Sequence, residues 1–303
     1  DKIPYRAKIK QRLTQIWNYQ KASPPFKKGD RFFWYKNDGL QNQSVLYSQK
    51  DTCCGNGEVL LDPNTLSNDG TVSLASISIS KNGQYLAYGI SKAGSDWVEI
   101  HVKDISTKQD LVDEIKWVKF SGMAWKGSGF YYSRYDEPVK GQTYTGKNQF
   151  HKVYYHKIGT TQDKDELIYE DKIHPNYNFG TQVTHDERFL VLYISESTSG
   201  EMLMVKDLSI ANSQFTIING TFDYEYGVVD NIGSNLFVRT NHGAPKYKLV
   251  KIDVKKPQGE NWRDVIGEKA DLLESVAFCN GKILGSYLKD VSSHLYMFAM
   301  DGT

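Results

Sequence analysis

The sequence predicts an all-β fold of repeated four-stranded antiparallel sheets, the pattern of a β-propeller. Three observations carry this. Val98, Ile100 and Val102 alternate with Glu99, His101 and Lys103, the period of two of a half-buried strand. Turn residues separate such runs, and Asn82-Gly83 between two of them suits a tight hairpin. The three-strand meander of residues 73–106 then recurs, with second-strand starts 45, 59, 47 and 47 residues apart. A period of that length with about four strands per unit marks propeller blades. One such sheet cannot bury both of its faces, so the units must stack.

The first 21 residues stand outside the repeat. Pro4 suits a helix start, and Ile9, Leu13, Ile16 and Trp17 recur at helical spacing. Their apolar stripe must be covered, either by the propeller rim or by another domain. The first blade follows Ser23-Pro24-Pro25-Phe26, with strands expected at 25–28, 31–38, 43–50 and 57–62. The two prolines lack ladder donors, which suits an edge or a strand start. First-strand runs then begin at 73, 119, 178, 224 and 272, and second-strand runs at 84, 129, 188, 235 and 282. Third-strand runs begin at 96, 151, 201, 246 and 293, and fourth-strand runs at 110, 165, 215 and 262. Six units begin, and the sixth has three strand runs before Thr303.

Composition narrows the classes. The chain has 303 residues and a net charge of +1, so no charge excess steers it toward nucleic acid or an anionic membrane. No apolar run reaches the length of a transmembrane helix, and no signal peptide is visible at Asp1. The compartment, cytoplasmic or periplasmic, is left open. Cys53, Cys54 and Cys279 make no disulfide framework, and the adjacent pair reads as a loop. Asn42-Gln43-Ser44 and Asn219-Gly220-Thr221 match a glycosylation tripeptide that chance often produces.

Five long segments carry a family resemblance: KNDGLQNQSVLY (36–47), LDPNTLSNDGTVSL (61–74), YGISKAGSDWVEI (88–100), VKFSGMAWKGSGFYYSRYDEP (118–138) and YYHKIGTTQDKDELIYE (154–170). In order and nearly without gaps, the chain resembles the propeller of the prolyl oligopeptidase family. That resemblance implies a seven-bladed propeller inserted in an α/β-hydrolase peptidase domain. Residues 1–21 would be a helical remnant of the peptidase domain, and 22–303 a propeller stopping in its sixth blade, with the peptidase domain absent. The implied activity is a serine endopeptidase cleaving short peptides on the carboxyl side of proline, with the propeller restricting substrates by size. The implied partners are such peptides and the missing domain. A truncated propeller would also expose apolar sheet surface and self-associate.

Catalytic chemistry is not expected in these residues. A serine hydrolase needs G-x-S-x-G at a strained turn, with a His and an Asp. The nearest match, Ile232-Gly233-Ser234-Asn235-Leu236, has Ile and Leu at the glycine positions and lies between two strand runs. It reads as a hairpin turn, as does Gly127-Ser128-Gly129. The seven histidines have no accompanying metal or catalytic motif. No cofactor is expected, and the chain by itself is expected to be inactive. Two other readings stay open: a non-catalytic interaction propeller, and a related serine peptidase of other specificity.

The resemblance also implies substrate contacts from the propeller. Tyr131 matches a substrate-facing aromatic of the family. Asn178 stands where some members have Met, Ser195 where they have Arg, and Thr198 where they have Cys. Phe179, beside Asn178, would supply apolar surface if the register shifts by one. First strands would line the central channel.

Overall fold

The computed structural model describes residues 3–51, 55 and 57–303, so the Cys53-Cys54 pair lies outside the described residues. Cys279 is an exposed free thiol. Among the described residues the structure is nearly all β, with one α-helix, and no helix is long and apolar enough to cross a membrane.

The helix spans Arg6–Trp17. Pro4 does not open it as expected. Pro4 and Tyr5 form a turn, with Tyr5 at φ 64°, and helical geometry begins one residue later. No residue of the helix is buried, and Ile9, Leu13, Ile16 and Trp17 are 47–57% exposed. The stripe read from the sequence is therefore present and uncovered.

Two compact units follow from the contacts: residues 1–130 with 155–166, and residues 131–154 with 167–303. The first sheet belongs to the first unit. Arg31–Asn37, Val45–Lys50 and Glu58–Leu61 pair in order. The edge beside Arg31–Asn37 is split in two. Phe26 pairs with Phe33, and Lys21 with Asn37. Pro24 and Pro25 fall in the gap, where a missing N–H breaks no ladder bond. Ser23 spans the gap: its N–H donates to Tyr35 O, and its Oγ accepts from Tyr35 N–H, both at 3.0 Å.

The second sheet runs Val72–Ile79, Tyr85–Lys92, Val98–Asp104 and Asp110–Val118, in antiparallel order. Its first hairpin needs glycine. Gly83 sits at φ +73°, and a Cβ there would come within 2.7 Å of the Lys28 carbonyl oxygen. Gly29, at φ +58°, backs onto the Asn82 carbonyl in return. The two turns thus interlock at a spacing only glycine allows.

The third set comprises the strands Ala124–Lys126, Gly129–Arg134, Lys152–Lys157 and Glu166–Glu170. Its first strand is much shorter than the run expected at 119–126. Phe120, at a positive φ of 53°, interrupts the extended chain there.

Two four-stranded sheets follow in the second unit. One is Asn178–Val183, Phe189–Ser195, Met202–Asp207 and Phe215–Asn219; the other is Tyr226–Ile232, Asn235–Thr240, Lys248–Asp253 and Arg263–Ile266. Leu272–Cys279, Lys282–Lys289 and Ser292–Phe298 form a three-stranded sheet. Ile232 pairs with Asn235, so Gly233-Ser234 is a two-residue hairpin loop with Gly233 at φ +61°. The nearest match to a nucleophile turn is thus a hairpin loop.

Neighbouring sheets bury their facing apolar residues against one another. In the first unit Phe33, Leu46, Leu86, Tyr88 and Ile105 share one core. In the second, Phe189, Val205, Leu236 and Val250 share another, and Phe237, Leu249, Leu273 and Tyr287 a third. Side chains also reach from one sheet to the next first strand. Gln43 Nε2 donates to Val72 O and Gln43 Oε1 accepts from Leu74 N–H. Gln182 Nε2 donates to Val228 O, while Val228 N–H donates to Tyr193 Oη. Arg239 Nε donates to Leu273 O. The first strands at Leu74–Ser76, Val228–Asp230 and Leu273–Ser275 carry register shifts at these points. A bulge leaves backbone groups unpaired, and the preceding sheet supplies partners for that strand there.

Candidate functional site

The substrate contacts expected from the sequence fall in the second unit. Antiparallel pairing sets Asn178 directly opposite Ser195, and Phe179 opposite Ile194. Asn178 and Ser195 are half-buried, and Thr198 is exposed in the turn that follows Phe189–Ser195. These three therefore occupy one end of one sheet. Phe179 is 1% exposed and shares a core with Val153, Leu192 and Ile194. Alternation along the strand sends it to the opposite face from Asn178, so it presents no surface to a peptide in this structure. Tyr131 lies on Gly129–Arg134 and is 6% exposed, packed as a sheet-core aromatic.

Two residues not singled out in the sequence complete this end. Tyr135 Oη lies 2.5 Å from Asn178 Oδ1. His151, fully buried, stacks on Tyr135 with ring centroids 4.5 Å apart, and on Phe179 at 5.9 Å. Its Nδ1 accepts the Phe179 N–H at 3.0 Å, so the neutral ring carries its proton on Nε2. No sequence signal marks either residue, because Tyr135 and Asn178 are 43 positions apart.

The turn bearing Thr198 is pinned at its far end. Gly200 has φ +76°, and a Cβ there would collide with the Phe222 carbonyl oxygen. Gly200 N–H donates to Glu225 Oε1 at 2.9 Å, and Tyr226 N–H donates to Glu201 Oε1 at 2.9 Å. Burial pushes Glu201 up to about 7; the Tyr226 N–H opposes this and the nearby Glu225 charge adds to it.

Nucleophilic chemistry finds no setting among the described residues. Tyr224 stacks on His242 at 4.2 Å, and Tyr226 Oη lies 3.1 Å from His242 Nδ1. His156, in the first unit, is buried between Asp113 and Asp165. These contacts hold rings in place, and the Ser292 Oγ–His294 Nε2 contact at 3.3 Å is exposed, between residues two positions apart on one strand. No group of three or more His, Cys, Asp or Glu among the described residues could hold a metal ion.

Comparison with known proteins agrees with this picture. The family model described as the N-terminal β-propeller domain of prolyl oligopeptidase matches residues 1–303. The chain is 43% identical over 301 residues to a prolyl endopeptidase of Elizabethkingia miricola, covering 99% of this chain and 42% of that protein. It is 44% identical over 301 residues to the Elizabethkingia meningoseptica prolyl endopeptidase, with the same coverage. Among solved structures, a study of two prolyl endopeptidases gives a TM-score of 0.85 at 31% identity, covering 100% of this chain and 43% of that one. Prolyl oligopeptidase B from Galerina marginata, bound to a 35-residue hydrolysis and macrocyclization substrate, gives a TM-score of 0.90 at 29% identity, covering 99% and 45%. The chain thus spans less than half the length of these relatives. Its repeated antiparallel sheets are propeller blades, and the chain belongs to the prolyl oligopeptidase family, matching its N-terminal β-propeller domain.

Proposed function

We propose that this chain is the propeller part of a serine endopeptidase that cleaves short peptides after proline. The observation that carries this is the match to prolyl endopeptidases across 99% of the chain at 43–44% identity. In this reading the propeller walls off the reaction centre and admits peptides by size. A rigid wall of stacked sheets excludes folded proteins without entering the chemistry. The nucleophile, its base and the oxyanion donors belong to an α/β-hydrolase domain elsewhere in the polypeptide. Residues 1–21 dock on that domain, a role suited to a helix whose Ile9, Leu13, Ile16 and Trp17 are all exposed. Asn178, Ser195 and Thr198 form the propeller's contact with the peptide upstream of the cut, with Phe179 buried on the other face of the Asn178 strand and Tyr131 buried on its own strand. Without the other domain, residues 1–303 would self-associate through exposed apolar surface such as Leu295 and Met297, 70% and 68% exposed.

The test compares the full polypeptide with residues 1–303 alone. The full polypeptide should release chromophore from a proline-containing peptide and react with a fluorophosphonate, and the label should map outside residues 1–303. The isolated 303 residues should do neither. Stoichiometric labelling of a serine within them, or a full polypeptide inert to both reagents, would overturn the reading.

A further inference from the structure

We propose that Tyr135 is a positioning residue for substrate: it fixes the Asn178 carboxamide so that its nitrogen donates a hydrogen bond to a backbone carbonyl of the peptide upstream of the cut. This rests on reading Asn178 as a substrate contact.

The geometry points to it in three steps. Asn178 Nδ2 lies 3.2 Å from the carbonyl oxygen of Asn176. That oxygen can only accept, so the amide must turn its nitrogen toward it. Oδ1 then faces Tyr135 Oη at 2.5 Å, and the hydroxyl donates. Burial pushes Tyr135 up to about 12, which keeps the donor protonated. A flipped amide would set Oδ1 against the Asn176 carbonyl oxygen, acceptor to acceptor, and lose that bond, keeping only a bond from Nδ2 to the Tyr135 hydroxyl. Asn178 is thus held in one orientation, with its second amide hydrogen left for a ligand.

Tyr135 is itself supported. His151 stacks on its ring, and the Nδ1 of His151 is anchored by the Phe179 N–H. Phe179 follows Asn178 on the same strand, so backbone, imidazole, phenol and carboxamide close a ring of contacts. Every link is buried or half-buried, and Asn178 is the member that reaches surface. An amide donor reads a backbone carbonyl, which every peptide carries. The contact therefore favours longer peptides without selecting their side chains.

The experiment uses the full polypeptide and two fluorogenic peptides. One ends two residues upstream of the cut, and the other extends three residues further. The readout is the ratio of their kcat/KM values. Tyr135→Phe removes only the hydroxyl and should lower the preference for the extended peptide about tenfold, the scale of one hydrogen bond to a held donor. The loss should appear in KM rather than kcat. Asn178→Leu should lower the ratio by as much, and the double variant no further, because both act through one bond. Extended peptides with each upstream carbonyl in turn reduced to CH2 need no variant. One of them should lose the preference in the natural protein and show no further loss in Asn178→Leu. Equal losses on both peptides, additive variants, or indifference to every carbonyl would overturn the proposal and leave the peptidase reading standing. Failure of the natural polypeptide to cleave either peptide would overturn both.

Discussion

Nε2 of His156 lies 2.8 Å from Oδ1 of Asp113, and both side chains are fully buried. On the other side of the ring, Nδ1 lies 2.6 Å from Asp165 Oδ1. A neutral imidazole has one donor, so a carboxylate at each nitrogen selects the doubly protonated ring. Burial opposes that charge. The hydrogen bonds and charges of Asp113 and Asp165 outweigh it and push His156 up to about 9. Asp113 also accepts the Gly159 N–H at 2.7 Å, which ties the turn after Lys152–Lys157 to the strand Asp110–Val118. The arrangement is a structural clamp, and its consequence is a stability that depends on pH.

Unfolded, His156 loses its proton near its ordinary value of about 6.5. Folded, it keeps the proton to about 9. Between those values the native state binds more protons, so stability falls as pH rises. The contribution is complete below about pH 6.5 and absent above about pH 9. Denaturant unfolding at pH 6, 8 and 10 should show this decline. His156→Gln should flatten it and lower stability at pH 6 by about 3–5 kcal/mol, the usual result of removing one partner from a buried ionic cluster. A midpoint independent of pH across this window in the natural chain would count against the clamp.

Glu201 acts at lower pH. Burial raises it to about 7, and only one oxygen is needed to accept the Tyr226 N–H. Between about pH 4.3 and 7 the folded carboxyl keeps a proton that the unfolded one has lost, so stability falls as pH rises. Above pH 7 the site holds an unfavourable charge beside Glu225. Glu201→Gln keeps the acceptor and removes the charge. It should stabilise the protein by about 1–3 kcal/mol at pH 8 and leave pH 4 nearly unchanged. Equal effects at both pH values would mean that packing, not charge, governs the position.

The strands were legible because alternation and turn chemistry are local. Val98–Asp104 and the loop around Gly83 need only their own neighbours to be recognised. The short first strand of the third set was not legible, since nothing in Phe120 announces a positive φ. For the candidate site, resemblance proposes Asn178, Ser195 and Thr198 around one strand and its return, and strand pairing sets the first two opposite each other. Burial of Phe179 and Tyr131 could not be read, because an aromatic on a strand looks the same from either face. Tyr135, His151 and the His156 clamp depend on partners far apart in sequence, with Asp113 and His156 separated by 43 residues.

The final prediction concerns how sheets hold one another. Gln43 follows the strand Arg31–Asn37 of the first sheet, yet its side chain bonds the first strand of the second. Nε2 donates to Val72 O at 2.9 Å, and Oε1 accepts from Leu74 N–H at 2.8 Å. The carboxamide thus acts as a peptide unit, completing backbone pairing where the register of Val72–Ile79 shifts. Its own backbone is held by Asn64, whose Oδ1 accepts the Gln43 N–H at 3.0 Å and whose Nδ2 donates to Gln43 O at 2.9 Å. Gln43→Ala should lose both side-chain bonds and destabilise by about 1–3 kcal/mol. Gln43→Glu tests the mechanism more sharply. An ionised carboxylate still accepts from Leu74 N–H but repels the Val72 carbonyl. A protonated one can serve both again. Gln43→Glu should therefore be less stable than the natural chain at pH 7, and the difference should shrink as pH falls through about 4–5. A variant equal to Gln43→Ala at every pH would show that the side chain fills space there and does not pair with the strand.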